Sequence, residues 1–440
     1  MKLKSIVAAL ALAGAAGSAA AADLLNVYRD ALVSDPVYQS ARAQYQASVE
    51  RLPQARAGYL PLVTGSASAF RNYNQREGVD DVDYSTRGFG VTLTQPVFRM
   101  QNWIAISQAE KQVLQAEATL TTAAQDLIVR TAQAYFDVLL AQDNVALSDA
   151  QKRAIAEQLA QAKRNFEVGT ATIVDTLEAQ ARYDQAVAKE VLDANDLEVK
   201  KRALQQIIGK PPAGLTPLGD KMALARPTPD NIDEWVQAAS ESSLAVAVSR
   251  AAFEIARQEV DRSRAGHYPT LDLNASYNYN RNPASSLGEL FTGAAITSEN
   301  SAVGLVLSVP IFAGGGTQSR VRESLALRDR AEQDLENTQR TVAQSVRQSF
   351  LNVTNGAALV RALEQALAST QSQLDSSILG RDVGVRTSVD VLNAQQQVFQ
   401  TRRDLQQARY GFLMNNLRLK AAAGTLSEGD VEAVNRALAR

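Results

Sequence analysis

From Gln101 to Val168 the chain contains neither glycine nor proline. An uninterrupted helix over that stretch would be a rod of about 100 Å, at 1.5 Å per residue. A second such stretch runs from Thr317 to Val383, with no proline and only Gly356 and Gly380 as breakers. A helix of this length cannot fit inside a globular core. It must pack lengthwise against other helices. Apolar residues at Val360, Leu363, Leu367, Leu374 and Ile378, and at Val113, Leu120 and Leu127, recur at spacings of three, four and seven. That is coiled-coil spacing. Abundant alanine lets more than one flank of each rod approach a neighbour. On helix spacing alone, a solitary antiparallel coiled coil is an equal reading.

The rods belong to a duplication. FEVGTATIVDTLEAQ at 166–180 reappears as RDVGVRTSVDVLNAQ at 381–395, RAGYLP at 56–61 as RAGHYP at 264–269, and VTLTQPVF at 91–98 as LVLSVPIF at 305–312. Internal repeats of this kind outrank any local signal. The chain divides into a first copy at 23–210, a Pro- and Gly-rich linker at 211–230, a second copy at 231–424 and a tail at 425–440. Each copy opens with a helix (23–52 and 231–265). Two β-like runs follow at about 62–74 and 84–95, and at about 270–282 and 300–309. Long helices are expected at about 101–168 and 317–382, and shorter ones at about 172–208 and 388–423.

The chain has no cysteine and one histidine, His267. Disulfides, thiol chemistry and Cys-zinc sites are excluded, and histidine-based metal sites nearly so. No cofactor or catalytic residue is expected. His267 stands where the first copy has Tyr59, which favours an interfacial ring over catalysis. AGGGT at 313–317 lacks the lysine of a phosphate loop and reads as a flexible joint. DDVDYS at 80–85 lacks the glycine and closing glutamate of a calcium loop. A net charge of −2 gives no electrostatic case for nucleic acid. Lys2 and Lys4, an apolar run and small residues before Asp23 read as a signal peptide at 1–22. A transmembrane anchor fits less well, because the run is short.

The β-like runs carry the sharper message. In LDLNASYNYN (271–280), Leu271, Leu273, Ala275, Tyr277 and Tyr279 alternate strictly with polar residues. Period two over ten residues is the pattern of a transmembrane β-strand, with an ordinary sheet packed on helices as the alternative. Four strands cannot close a barrel, and open edges are not tolerated in lipid. Closure therefore demands several chains: two would supply eight strands, three twelve. The polar segments 74–84 and 282–300 would be the outward loops. Pro96 and Pro310, in the Q-P-V-F and V-P-I-F joints, would fix the turn from strand to rod.

In the repeated segment, Gly169 and Gly384 suit the left-handed residue that ends a helix. Thr172 and Thr387 can cap the next helix, with Asp175 and Asp390 completing a capping box three residues on. Each copy thus makes one helical hairpin. The two tips differ at one conspicuous position: Arg386 stands where the first copy has Ala171. A positive charge is disfavoured near a helix start, so a cap does not explain it.

The signal peptide, DLLNVY…DP at 23–36, the R-A-G-x-x-P and x-P-x-F elements, the paired V-G-x-x-T-x-x-D tips and LRLKAAAGTL at 417–426 together resemble the TolC family of outer-membrane channel proteins. The resemblance implies a mainly α chain with transmembrane β. Three copies would form a twelve-stranded β-barrel, four strands per chain, continued by a long α-helical barrel into the periplasm. It implies a homotrimer in outer-membrane lipid that conducts drugs or secreted proteins passively, as in type I secretion. A periplasmic adaptor (membrane fusion) protein and an inner-membrane ABC or RND-type transporter would be its partners. By position, Asp175 and Arg386 become gate partners and Asp390 part of an acidic ring. Asn393 stands where relatives can have a second acid. Gly169, Thr172, Gly384 and Thr387 mark the tips at which an adaptor would dock. A stand-alone porin, or a surface coiled-coil adhesin, are the alternatives.

Overall fold

The computed structural model describes residues 23–76, 79–212, 214–219, 222–282, 296–436 and 438. The segment read as a signal peptide, 1–22, and most of the expected outward loop at 282–300 lie outside the described residues. The described elements are α1 (Leu24–Ser34), α2 (Pro36–Val49), α3 (Arg51–Ala57), β1 (Leu62–Arg76), β2 (Val79–Phe98), α4 (Met100–Glu167), α5 (Ile173–Ile208), α6 (Ile232–Ser242), α7 (Leu244–Arg264), β3 (Thr270–Asn282), β4 (Ile296–Ser308), α8 (Gly316–Asp382), α9 (Ser388–Ala423) and α10 (Glu428–Asn435). The chain divides into two compact units. Among the described residues, one comprises those within 23–42, 119–246 and 338–438, the other those within 43–118 and 247–337.

The second unit holds the sheet, four antiparallel strands in the order β1-β2-β3-β4. Register explains its two faces. Val63, Leu93, Ala275 and Val303 lie in one row, and Ala67, Phe89 and Tyr279 in another on the same side. Phe89 stacks on Tyr279 with ring centroids 5.0 Å apart. The intervening rows, such as Thr64, Thr92 and Ser276, are small and polar. Val63, Phe89, Val91, Val303 and Leu305 are all exposed, so the apolar face is uncovered within the chain. Strands β1 and β4 each pair on one side only. At the base of the sheet Arg99 makes a two-pronged bond to Asp272, Nε to Oδ1 at 2.9 Å and Nη2 to Oδ2 at 2.7 Å. The Tyr59 hydroxyl donates to the Arg99 carbonyl, and its ring meets Trp103 edge-on at 4.9 Å.

The first unit holds the main core. Leu127, Tyr135, Phe136 and Leu139 of α4 are buried with Leu204 of α5, Val346 and Val353 of α8, and Leu417 of α9. The spacing 127, 135, 139 is the inward stripe of a long amphipathic helix. Two acidic groups within this core are partnered. Arg130 makes a two-pronged bond to Asp35, whose side chain is only 3% exposed. Burial alone would raise the Asp35 carboxyl. The bonds from Arg130 and from the Tyr38 and Val37 backbone outweigh it and hold the group below its ordinary value. The Tyr410 hydroxyl donates to Asp143 at 2.8 Å. Burial pushes Asp143 up, although the bond from Tyr410 works the other way.

Three expectations need correction. The opening helix of each copy is broken, at Asp35 and at Ser243. Asp35 both ends α1 and accepts from the Tyr38 N–H at 2.8 Å, so it restarts the chain as α2 behind Pro36. The segment 74–84 is mostly strand, not loop. Ladder pairing continues through Asn74↔Val82 and Arg76↔Val79, and Arg71 pairs with Asp83 across the strands. Charged residues are compatible with strand on an edge hairpin. The two proline joints are unequal. Pro96 sits inside β2, opposite Asp272, at a register shift that absorbs its missing N–H. Pro310 lies beyond the end of β4, in a segment that leads to Gly314 and Gly315, both with positive φ. The long helix expected at about 317–382 runs unbroken through Gly356 as α8. Among the described residues no helix is long and apolar enough to cross a membrane.

Candidate functional site at the helical hairpin tips

Each long helix reverses through the same turn. Gly169 and Gly384 adopt φ of 77° and 82°, a conformation in which a Cβ is strained. The Thr170 and Ala171 N–H groups donate to the Asn165 carbonyl at 2.8 and 3.2 Å, and those of Val385 and Arg386 to the Gly380 carbonyl at 2.8 and 3.1 Å. These bonds satisfy carbonyls left open at a helix end.

The next helix starts on a capping box in both copies. Asp175 Oδ2 accepts from the Thr172 N–H and hydroxyl at 2.9 and 2.8 Å, and Thr172 Oγ1 accepts from the Asp175 N–H at 3.3 Å. Asp390 and Thr387 repeat the arrangement at 2.9, 2.9 and 3.1 Å. The backbone bond from Thr387 and then its hydroxyl hold the Asp390 carboxyl below its ordinary value against desolvation, with a lesser contribution from the charge of Arg386. Asp390 therefore stays ionised to lower pH than a free aspartate.

Arg386 stands at the crest between two clefts. One, of about 410 Å³, is lined by Asp175 together with Gln161, Asn165 and Arg381. The other, of about 500 Å³, is lined by Asp390, Asn393 and Gln397. Arg386 borders both. Asp175 and Arg386, paired on sequence grounds, thus share a cleft within one chain. They form no ion pair there among the described residues. Pro96 and Pro310 are not part of this site; they lie at the strand joints.

Asn393 is not a free amide. Its Oδ1 accepts from Arg182 Nη2 at 3.2 Å, while Arg182 Nη1 donates to Gln396 Oε1 at 3.0 Å. Arg182, on α5, thereby ties the first hairpin to α9 of the second. No local motif marks it, since the contact depends on how two distant helices pair. Arg381 to Gln161 at 3.3 Å and Arg403 to Asp193 at 3.2 Å are further ties between the hairpins. The packing beneath is small. Leu159, Ala162 and Ala179 form one buried cluster of the first hairpin, and Ile155, Ala186 and Leu392 another. Among the described residues no group of His, Cys, Asp and Glu could hold a metal ion. The tips can present charge, hydrogen bonds and grooves between helices. They offer no arrangement of acid, base and nucleophile around a pocket.

A profile of the family described as "Outer membrane efflux protein" matches residues 27–210 and 235–425. The chain is 33% identical over 441 residues to outer membrane protein TolC of Vibrio cholerae, covering 99% of this chain and 98% of that protein. It is 31% identical over 424 residues to the alkaline protease secretion protein AprF of Pseudomonas aeruginosa, covering 93% of this chain and 86% of the relative. Among solved structures, the outer membrane protein VceC of Vibrio cholerae superposes with a TM-score of 0.77 at 20% identity, covering 91% of this chain and 96% of that one.

Proposed function

The chain belongs to the outer membrane efflux protein family, and on that premise we propose that it is a passive duct, gated at its hairpin tips, that carries cargo from a tripartite pump to the outside. The family is one of outer-membrane channels, not of enzymes. One observation carries the rest: a four-stranded sheet with an exposed apolar face and an open edge on each outer strand. Such a sheet is stable in lipid only when its edges are closed by further copies. Three copies give twelve strands. In this reading the chain is exported behind a signal peptide at 1–22, and the copies at 23–210 and 231–424 each contribute two strands and one hairpin.

At the periplasmic mouth six tips converge. Arg386 of one tip reaches Asp175 of the next, and three Asp390 carboxylates narrow the opening. Asn393, held by Arg182, adds a hydrogen-bonded tie where a second acidic ring would otherwise stand. The grooves beside Gly169, Thr172, Gly384 and Thr387 receive the helical hairpin of an adaptor by heptad packing. An inner-membrane ABC or RND-type transporter supplies the energy. The family's description supports efflux, and the relative named for alkaline protease secretion supports protein cargo of a type I pathway.

Planar-bilayer recording tests the gate. The wild-type protein is expected to show a small, steady resting conductance and Arg386→Ala a larger one. Equal conductances would remove Arg386 from the gate. A channel that conducts fully without any adaptor would instead be a porin.

A further inference from the structure

We propose that Gly380 is a positioning residue whose missing side chain seats Arg386 at the second tip. The proposal rests on the reading of Arg386 as a gate residue. Gly380 lies in the last turn of α8 and is not among the glycines with positive φ. The backbone therefore gives no reason for glycine there. A glycine inside a helix is less favourable than alanine. What it provides is space. A Cβ placed on Gly380 would lie 2.7 Å from Arg386 Cγ and 3.3 Å from Arg386 Cβ. The stem of Arg386 thus rests directly on the Gly380 backbone. These are the inner atoms of the side chain, so they cannot swing aside as its far end could.

The first tip supplies the comparison. Its turn uses the same backbone bonds, but Asn165 occupies the position of Gly380 and Ala171 that of Arg386. A residue with a Cβ at this point is compatible with the turn. The exchange is reciprocal: the large partner is on the helix in one copy and on the turn in the other. Glycine at 380 is consequently tied to the arginine, not to the hairpin. With its stem pinned, the guanidinium is directed to the crest between the Asp175 cleft and the Asp390 cleft. A methyl group at 380 displaces Cγ and moves the charge off that crest.

The test compares Gly380→Ala, Arg386→Ala, the double variant and Gly411→Ala in planar bilayers, with helix melting followed in parallel. Gly411 is also a helical glycine, and a Cβ there would meet nothing within 4 Å. Gly380→Ala is expected to raise the resting conductance towards that of Arg386→Ala without lowering the melting temperature, since alanine favours the helix. The double variant should conduct no more than Arg386→Ala alone, and Gly411→Ala should match wild type. Gly380→Ser, which adds the same Cβ, repeats the test should the alanine variant assemble poorly. A wild-type conductance for Gly380→Ala beside a leaky Arg386→Ala overturns the positioning role and leaves the gate standing. So does an additive effect in the double variant. An Arg386→Ala channel that does not leak overturns the gate reading, and the present proposal with it.

Discussion

Four glycines with nearly the same backbone angle should respond very differently to alanine. Gly169, Gly209, Gly384 and Gly424 have φ of 77°, 72°, 82° and 77°. Each terminates a long helix, so each alanine meets the same left-handed strain of about 1–2 kcal/mol. Their surroundings separate them. At Gly169 and Gly384 an added Cβ meets nothing within 4 Å. At Gly209 it comes within 3.1 Å of Ser34 Cβ, a tight contact that a small shift relieves. At Gly424 it would lie 2.4 Å from the Ser242 carbonyl oxygen, 2.9 Å from its carbon and 3.0 Å from Ser243 Cα. Those are backbone atoms. Ser242 is further fixed by its hydroxyl, which donates to the Ala423 carbonyl at 2.8 Å. Overpacking of this kind adds about 1–3 kcal/mol to the strain, so Gly424→Ala should cost about 2–5 kcal/mol in all. The predicted order of loss is Gly169→Ala and Gly384→Ala least, Gly209→Ala intermediate, Gly424→Ala greatest. Helix melting by circular dichroism in detergent, at fixed protein concentration, ranks the four variants. A tip variant as damaging as Gly424→Ala would refute the argument from surroundings.

Arg130→Met strands the buried Asp35 carboxylate. The expected loss near neutral pH is about 3 kcal/mol, the low end for a broken buried pair because Arg130 is itself 36% exposed. Asp35 is depressed in the fold, so the stability it contributes is present above the unfolded value of about 4 and lost as pH falls through the lower folded value. The cost of Arg130→Met should fade over the same acid range in a denaturation series. Asp143 has the opposite sign, because its folded value is raised. Its contribution is complete below the unfolded value and is lost as pH rises through the folded one. Asp143→Asn keeps an acceptor for Tyr410, and its advantage over wild type should grow as pH rises from about 4. At the tip, Thr387→Val removes the hydroxyl bond to Asp390 and retains the N–H bond. If Asp390 sets cation selectivity, the pH midpoint of that selectivity should move upward; an unmoved midpoint would assign selectivity elsewhere.

The parts of this fold that obey short-range rules were open to inspection in the amino-acid order. V-G-x-x-T-x-x-D encodes a left-handed helix end and a capping box at fixed spacing, and both tips have that geometry. Strict alternation in 271–280 marks β3 in the same way. Arg182 was not visible, because its bonds to Asn393 and Gln396 cross 211 and 214 positions of sequence. Its role follows from the register of α5 against α9, which no local pattern fixes. The run of strand through 79–84 was hidden by its charges, since an edge hairpin in water needs no apolar alternation. Pro96 concealed the end of β2 because a register shift lets a strand pass through a residue without an N–H. The Gly380–Arg386 exchange was legible as letters, but only the 2.7 Å distance makes it a contact.

The mass of the mature protein in lipid nanodiscs, determined by native mass spectrometry, tests the central claim most directly. A particle of three chains, with its strands protected from hydrogen exchange by the bilayer, is the predicted result. A single chain that sits stably in lipid with the outer edges of β1 and β4 unpaired would contradict it.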